Sequence, residues 1–394
     1  MLVLNKNRYL KLRGTLFIKG ALFSLLGFFI GRVKQRIVFN SEFNTEFNHN
    51  SKYLFLHFIK NHPEFDVRFV INNLELKEQL NQEVGPYFID TYSLKNRFYI
   101  LKAKTWVTSS LETPIGGFLQ NYNRFVFHLG HGAPLKRIGR AEKYLNWKKA
   151  LYYRLIKSNF SYFFSTSEAF SETWRACLNL KKEQVVIAGQ ARNEALFSGY
   201  VHYNDVMQLA KGKRHVLYAP TWRPFDDTAI FPFLDFDADR LGQFLQQNNC
   251  ILHLRVHPNF ESGISDKVKG IKNLTILSRS CITDINEILG QFDLLITDYS
   301  SIYVDYLLTQ KPMLFLPYDY SIYKNKIGFT IPYQQATPGP KPKTQKQFLQ
   351  EVECLLNDDK YYAQERKDAN NWLNVVQNQQ AQQNAELIFQ LLKS

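Results

Sequence analysis

The chain has 394 residues, too many for one ordinary core, and domains of roughly 100 to 200 residues make two the expectation. A hydrophobic content of 45% with 15% aromatic residues excludes a disordered chain. The net charge of +14 invites an anionic partner, yet no zinc-finger spacing, RNP-type aromatic motif or helix-turn-helix supports nucleic acid, and Cys177, Cys250, Cys281 and Cys354 lack the spacing of a zinc site or a disulfide framework.

Residues 1–36 hold Lys6, Arg8, Lys11, Arg13, Lys19, Arg32, Lys34 and Arg36 and no Asp or Glu. Between Lys19 and Arg32 runs "GALFSLLGFFIG", uncharged, which as a helix reaches ~18 Å against about 30 Å for a bilayer core. It is too short to span, and no small-residue cleavage site follows it, so the segment is expected to be retained. Cationic flanks around apolar residues suit the face of an anionic membrane, each Lys or Arg being worth about 1 kcal/mol there. Gly20, Ser24, Gly27 and Gly31 also share one helical face, which would allow close packing in the fold. The membrane surface is the expectation.

After this segment, short apolar runs alternate with amphipathic ones. "RIVFN", "VRFVINN", "PYFIDT", "TWVTSS", "RFVFHLG", "YFFSTS" and "VVIAG" read as strands in the first half; "HVLYAPTW", "CILHLRVHP", "LTILS", "DLLITD" and "PMLFLPYD" do so in the second. Patterns such as "SKYLFLHFIKNH" and "DADRLGQFLQQNN" between them read as helices. Continuous apolar strands such as "DLLIT" are those of parallel sheets covered on both faces, so the fold class is α/β with two doubly wound domains. The boundary falls near residues 192 to 213, which gives a membrane-associating segment 1–36, a first domain 37–205 and a second domain 206–394. The tail from Lys343 is helical, and its end has the means to cross back to the first domain.

In open α/β sheets ligands bind beyond the carboxyl ends of strands. Four motifs stand there. "HLGHGAPLKRIG" holds His131 in a glycine-proline turn with Gly132 beside it and Lys136 behind it; a histidine titrates near neutrality and can take a proton from a hydroxyl. "YAPTWR" ends in Thr221, Trp222 and Arg223, suited to a phosphate or a base, or equally a packed Trp and a solvated Arg. "CILHLRVHPN" puts Arg255 and His257 on one side of a strand. "DLLITDYSSIYVDYLL" carries Asp298 in a sharp turn and opens a helix at Ser300 and Ser301, a place that binds phosphate or is simply N-capped by serine. His128 and His253, embedded in apolar runs, read as core. Walker, nucleophile-elbow, HExxH and EF-hand patterns do not occur, nor does an acidic cluster with metal spacing.

The motifs "HGAPLKRIG", "YAPTWR", "RVHPN", "LLITDYSSIYVDY", "KPMLFLPYD" and "ATPGP", in that order, resemble the CDP-glycerol glycerophosphotransferase family of teichoic-acid primases, polymerases and capsule-synthesis relatives. The resemblance runs from "IVFNSEF" to "TPGPKPKT", most of the chain. It implies a GT-B-like fold of two Rossmann-type domains facing across a cleft, peripheral attachment to the cytoplasmic membrane face, and transfer of glycerol phosphate or another polyol phosphate from CDP-glycerol or CDP-ribitol to a lipid-linked or polysaccharide acceptor, releasing CMP, with no further cofactor required. It implies that His131 is the base for the acceptor hydroxyl, that His257 meets the donor's phosphates, and that Ser300 and Ser301 hold its pyrophosphate. Arg255, Thr221, Arg223 and Asp298 are expected on the donor side, and Gly132 and Lys136 in contact with the acceptor or a phosphate. The chain departs from the family where a tryptophan usually precedes "HG", here Gly130, and in "KIGF" at Lys326, which touches donor or acceptor specificity. A nucleotide-sugar glycosyltransferase and a non-catalytic membrane scaffold are the alternative readings.

Overall fold

The computed structural model describes residues 3–198, 212–223, 225–226, 228–256, 268–278 and 281–393. Its contacts divide the chain into two compact units, Met1–Glu194 with Val375–Ser394, and Ala195–Asn374.

In the first unit, seven strands form a parallel sheet: β1 (Val33–Asn40), β2 (Asp66–Val70), β3 (Phe88–Ile89), β4 (Ala103–Thr108), β5 (Phe125–His128), β6 (Tyr162–Ser165) and β7 (Val185–Ile187). The spatial order is β3-β2-β1-β4-β5-β6-β7, so the winding reverses between β1 and β4. That reversal opens a crevice at the carboxyl ends of these two strands. Val38, Trp106, Val126 and Phe163 lie in one core layer on this sheet, all buried.

Two helices flank this crevice and its neighbouring loop. Helix α1 (Val3–Gly27) begins earlier and ends sooner than the uncharged run. Arg32 caps it by donating to the carbonyl of Gly27, a group that a helix end leaves unpaired, and holds the following turn by donating to that of Ile30. The small face seen in the sequence packs: a Cβ at Gly20 would stand 2.0 Å from Gly116, and the Ser24 hydroxyl accepts hydrogen bonds from Phe118 N and Gln120 Nε2, each at 3.0 Å. The opposite face leaves Ile18, Leu22 and Leu25 exposed, and Phe29 continues the stripe at 88% exposure. Among the described residues no helix is long and apolar enough to cross a membrane. Helix α2 (His49–Asn61) packs Tyr53, Leu54, Phe55 and Phe58 inward.

The units divide at Glu194/Ala195, within the expected stretch 192 to 213 but before 205/206, and again at Asn374/Val375, where the chain crosses back. The helix Gln380–Lys393, expected in the second domain, belongs to the first unit. Phe389 stacks on Phe65 with centroids 5.3 Å apart, Gln380 Oε1 accepts from Gln190 N, Asn384 exchanges two hydrogen bonds with the Gly189 backbone, and Glu194 accepts from Ala381 N.

The second unit carries β8 (Arg214–Ala219), β9 (Cys250–Leu254), β10 (Leu274–Ile276), β11 (Leu294–Thr297) and β12 (Met313–Phe315), all parallel, in the order β10-β9-β8-β11-β12. The winding reverses again, between β8 and β11. Strand β11 is buried at every position, as its continuous apolar run predicts, and helices Ala238–Gln247 and Gln345–Asn357 cover the core around Leu252, Ile296 and Leu314.

Candidate active site

The loop after β5 is held by its glycines and by distant side chains. Gly130 has φ +70° and Gly132 φ +142°, left-handed positions that a Cβ would strain, so the backbone turns sharply on both sides of His131. Asn50, fully buried near the start of α2, donates from Nδ2 to the carbonyls of Leu129 (3.2 Å) and Gly130 (2.9 Å) and accepts Arg192 N at Oδ1 (3.2 Å). Arg192 in turn donates to the carbonyl of His131 at 2.8 Å.

His131 is exposed, and its Nδ1 lies 3.0 Å from the carbonyl oxygen of Ser109. A carbonyl only accepts, so in the neutral ring Nδ1 carries the proton and Nε2 offers a lone pair. Ser109 is fixed in its own right, since its hydroxyl donates to Ser51 Oγ at 3.0 Å and accepts Ser51 N at 2.7 Å. This is the layout of an oriented general base. The ring of His49 stands 5.2 Å away, on a residue with φ +59°. Gly132 and Lys136 follow on the same loop, both half-buried. His128 fills the core, 1% exposed and ringed by Phe160, Phe163 and Trp174; burial and the neighbouring His131 push its pKa down to about 3.

In the second unit the strand ends of β9, β8 and β11 adjoin, and they carry Arg255, Thr221, and Asp298 with Ser300 and Ser301. Arg223 and Asp298, expected on the donor side, are engaged with groups of the protein itself. Arg223 is fully buried and each of its three nitrogens is engaged: Nε and Nη2 form a two-point pair with Asp319 at 2.8 and 2.9 Å, and Nη1 donates to Asp298 at 2.8 Å and to the carbonyl of Thr221. Burial works against this charge, but the hydrogen bonds to Asp319 and the field of Asp298 more than offset it and raise the pKa. Asp298 is equally engaged, accepting Thr221 N (2.9 Å) and Tyr299 N (2.6 Å) at Oδ1. The pair is a buried brace, with the rings of Tyr299 and Tyr318 each 4.8 Å from the guanidinium.

What the brace presents is Thr221, whose Oγ1 is buried and has no hydrogen-bond partner among the described residues. Arg255 Nη1 donates to the carbonyls of Leu277 and Ser278 at 3.1 and 2.7 Å. Ser300 Oγ accepts Ile302 N at 3.4 Å, and Ser301 precedes a short helix, Ile302–Tyr306. Both serines are half-buried. The helix is shorter than its pattern suggests, so its end offers local N–H groups and hydroxyls rather than a long summed dipole. His257 lies outside the described residues.

Sequence reasoning missed Asn50, Ser109, Arg192, His49 and Asp319. Only Asp319 sat in a recognisable motif, "KPMLFLPYD"; the others carry no spacing signal, because each acts on a loop far away in the chain.

The family described as "CDP-Glycerol:Poly(glycerophosphate) glycerophosphotransferase" matches residues 26–390. The chain belongs to that family. This glycerophosphotransferase-family chain is 28% identical over 349 residues to the teichoic acid poly(glycerol phosphate) polymerase of Bacillus subtilis (strain 168), covering 83% of its own length and 45% of the relative's. It is 26% identical over 375 residues to the protein of the same description from Bacillus spizizenii, covering 90% of itself and 91% of the relative. The chain thus spans about half the first relative and most of the second. The solved structure of the wall teichoic acid polymerase TagF superimposes with a TM-score of 0.75 at 22% identity, covering 92% of this chain and 90% of the other. The parallel-sheet α/β fold expected of the family, GT-B-like, is the one they share.

Proposed function

We propose that the chain transfers glycerol phosphate, or another polyol phosphate, from a CDP-polyol to a hydroxyl of a lipid-linked or polysaccharide acceptor, with release of CMP. The observation that carries the reading is His131, an exposed residue locked through Nδ1 so that Nε2 keeps its lone pair. The acceptor oxygen attacks the β-phosphorus of the donor and gives its proton to Nε2 of His131. The new P–O bond forms as the bond to CMP breaks, and CMP leaves with the electron pair. Arg255, Ser300, Ser301 and Thr221, with His257, spread the charge on the leaving nucleotide, while Arg223 and Asp298 hold the loop that carries Thr221. Positioning and charge stabilisation suffice for such a displacement, with no covalent intermediate.

The reading places the protein on the cytoplasmic face of the membrane, lying on it by the exposed stripe Ile18, Leu22, Leu25 and Phe29 amid the cationic flanks of the first 36 residues. The test incubates the protein with CDP-glycerol or CDP-ribitol and host membranes, and measures CMP release and product length. Acceptor-dependent CMP release with one of them is expected. Release from neither, with turnover of a nucleotide sugar instead, would replace the proposal by the glycosyltransferase reading.

A further inference from the structure

A cavity of about 420 Å³ lies within the first unit, where the winding of its sheet reverses. Its floor is built from residues just beyond the carboxyl ends of β1 to β4, including Asn44, Asn72 and Glu112, and its roof is α1. Such a crevice is where open α/β sheets take ligands, and the volume falls in the range of small-molecule sites.

One side chain points to what enters. Glu112 is 7% exposed and lines the cavity. Its Oε1 accepts from Arg13 Nε of α1, but Oε2 is buried and meets no donor among the described residues. An unmet buried carboxylate oxygen costs about 1 to 3 kcal/mol or more, so the site is built to receive a donor. That donor is not a cation, because Arg13 and Arg97 already outnumber the single carboxylate in the lining. Neither is it an anion, which has no proton to give Oε2 and is repelled by the carboxylate; Arg13 Nε already pairs with Glu112, and Arg97 Nε donates to the carbonyl of Thr91 with its guanidinium 4.8 Å from the ring of Phe23. What remains is a neutral ligand rich in hydroxyls. The rings of Phe17, Phe43, Tyr92 and Tyr152 supply flat apolar faces for the C–H side of a sugar, and Glu112 supplies the acceptor for its O–H side.

We infer that this cavity is a saccharide-binding site, holding the sugar portion of the acceptor beneath α1. The inference rests on the transfer reaction proposed above for the word "acceptor" alone; the sugar-binding chemistry stands on the cavity. Connectivity favours it, since Glu112 is three residues after Ser109, whose carbonyl orients His131. Three residues reach at most about 11 Å, so the cavity floor at Glu112 and the carbonyl that orients the base belong to one short stretch of chain. The roof helix meanwhile turns its exposed apolar stripe outward, the side from which a lipid-linked sugar would arrive.

The test is calorimetric titration of the full chain with a set of free disaccharides and their octyl glycosides, in wild-type, Glu112→Gln and Tyr92→Ala forms. Glu112→Gln keeps the shape and exchanges an acceptor for a donor; affinity for the bound saccharide is expected to fall about 10- to 100-fold. Tyr92 is 61% exposed at the rim, so its replacement spares the core and keeps the test valid if the first variant misfolds; a several-fold loss is expected. In turnover, KM for the membrane acceptor should rise by a like factor with KM for CDP-glycerol unchanged. Saccharide binding without CMP release from any CDP-polyol would sink the proposed reaction and leave the site standing. Failure of wild type to bind any of the saccharides, equal binding by the variants, or a parallel rise in KM for CDP-glycerol would overturn the site.

Discussion

Nδ1 of His131 and the carbonyl oxygen of Ser109 stand 3.0 Å apart, which fixes both the ring and its tautomer. Since the side chain is exposed and fills no core, His131→Ala should lower CMP release by about 10² to 10⁴ while leaving the thermal midpoint within about a degree. A turnover number close to wild type would remove the base assignment.

Asn50 acts on the same loop from a buried position. Asn50→Leu strands the carbonyls of Leu129 and Gly130 and the N–H of Arg192, and should cost about 1 to 3 kcal/mol in urea unfolding. Turnover should drop as well, because the loop holding His131 loosens, whereas KM for CDP-glycerol should stay put. A variant with wild-type stability and turnover would show that the loop is held elsewhere.

Arg223 is predicted to be a brace and not a ligand of the donor. Arg223→Met leaves the buried Asp298 and the half-buried Asp319 without their counter-charge, at a cost of about 3 to 5 kcal/mol. Lysine should rescue little, because a point charge cannot reproduce the two-point pair with Asp319. The measurement is the denaturant midpoint of both variants; wild-type stability with weakened CDP-glycerol binding would restore the donor role.

Acid should weaken the fold through two buried histidines. Burial holds His128 down to about 3 and, with His215 alongside, His253 down to about 4, against about 6.5 in an unfolded chain. Above pH 6.5 both states are neutral and nothing is lost. Below it the unfolded chain takes up protons that the folded one refuses, so stability falls with pH until about 4 for His253 and about 3 for His128, at up to ~1.4 kcal/mol per pH unit for each. His128→Phe, placed among aromatic rings, should remove roughly half of that slope in unfolding curves between pH 6 and 4. An unchanged slope would mean that other groups dominate.

The stripe on α1 should govern attachment to anionic vesicles. Leu22→Glu with Phe29→Glu, both exposed, should abolish co-sedimentation without lowering the thermal midpoint. Gly20→Val should do the reverse and destabilise, since its side chain would collide with the Gly116 backbone. Undiminished sedimentation of the double variant would relocate the attachment.

The strands were readable because parallel strands are buried on both faces: Leu294 to Thr297 carry four side chains with none for solvent, a pattern that needs no knowledge of neighbours. The small face of α1 was readable for a similar local reason, though its partner loop at Gly116 and Gly117 was not. The site was legible only as positions after strands. Which way a polar side chain turns there depends on groups far off in the chain: Arg223 points inward because Asp319, 96 residues later, meets it, and Asn50 serves the His131 loop through Arg192, 142 residues away. Glu112 drew no notice for the same reason, since its cavity exists only once α1 covers the sheet.

The return of Gln380–Lys393 to the first unit gives synthesis on the ribosome an order. Residues 195–374 are complete, with their own sheet and core, before the helix that closes the first unit has been made. Until then Phe58 and Phe65 lack Phe389, and the backbone of Gly189 and Gln190 lacks Asn384 and Gln380. Of the two units, the one whose strands are translated earlier is therefore the one completed later, so the unit bearing His131 gains its final packing only when nearly all of these residues have emerged.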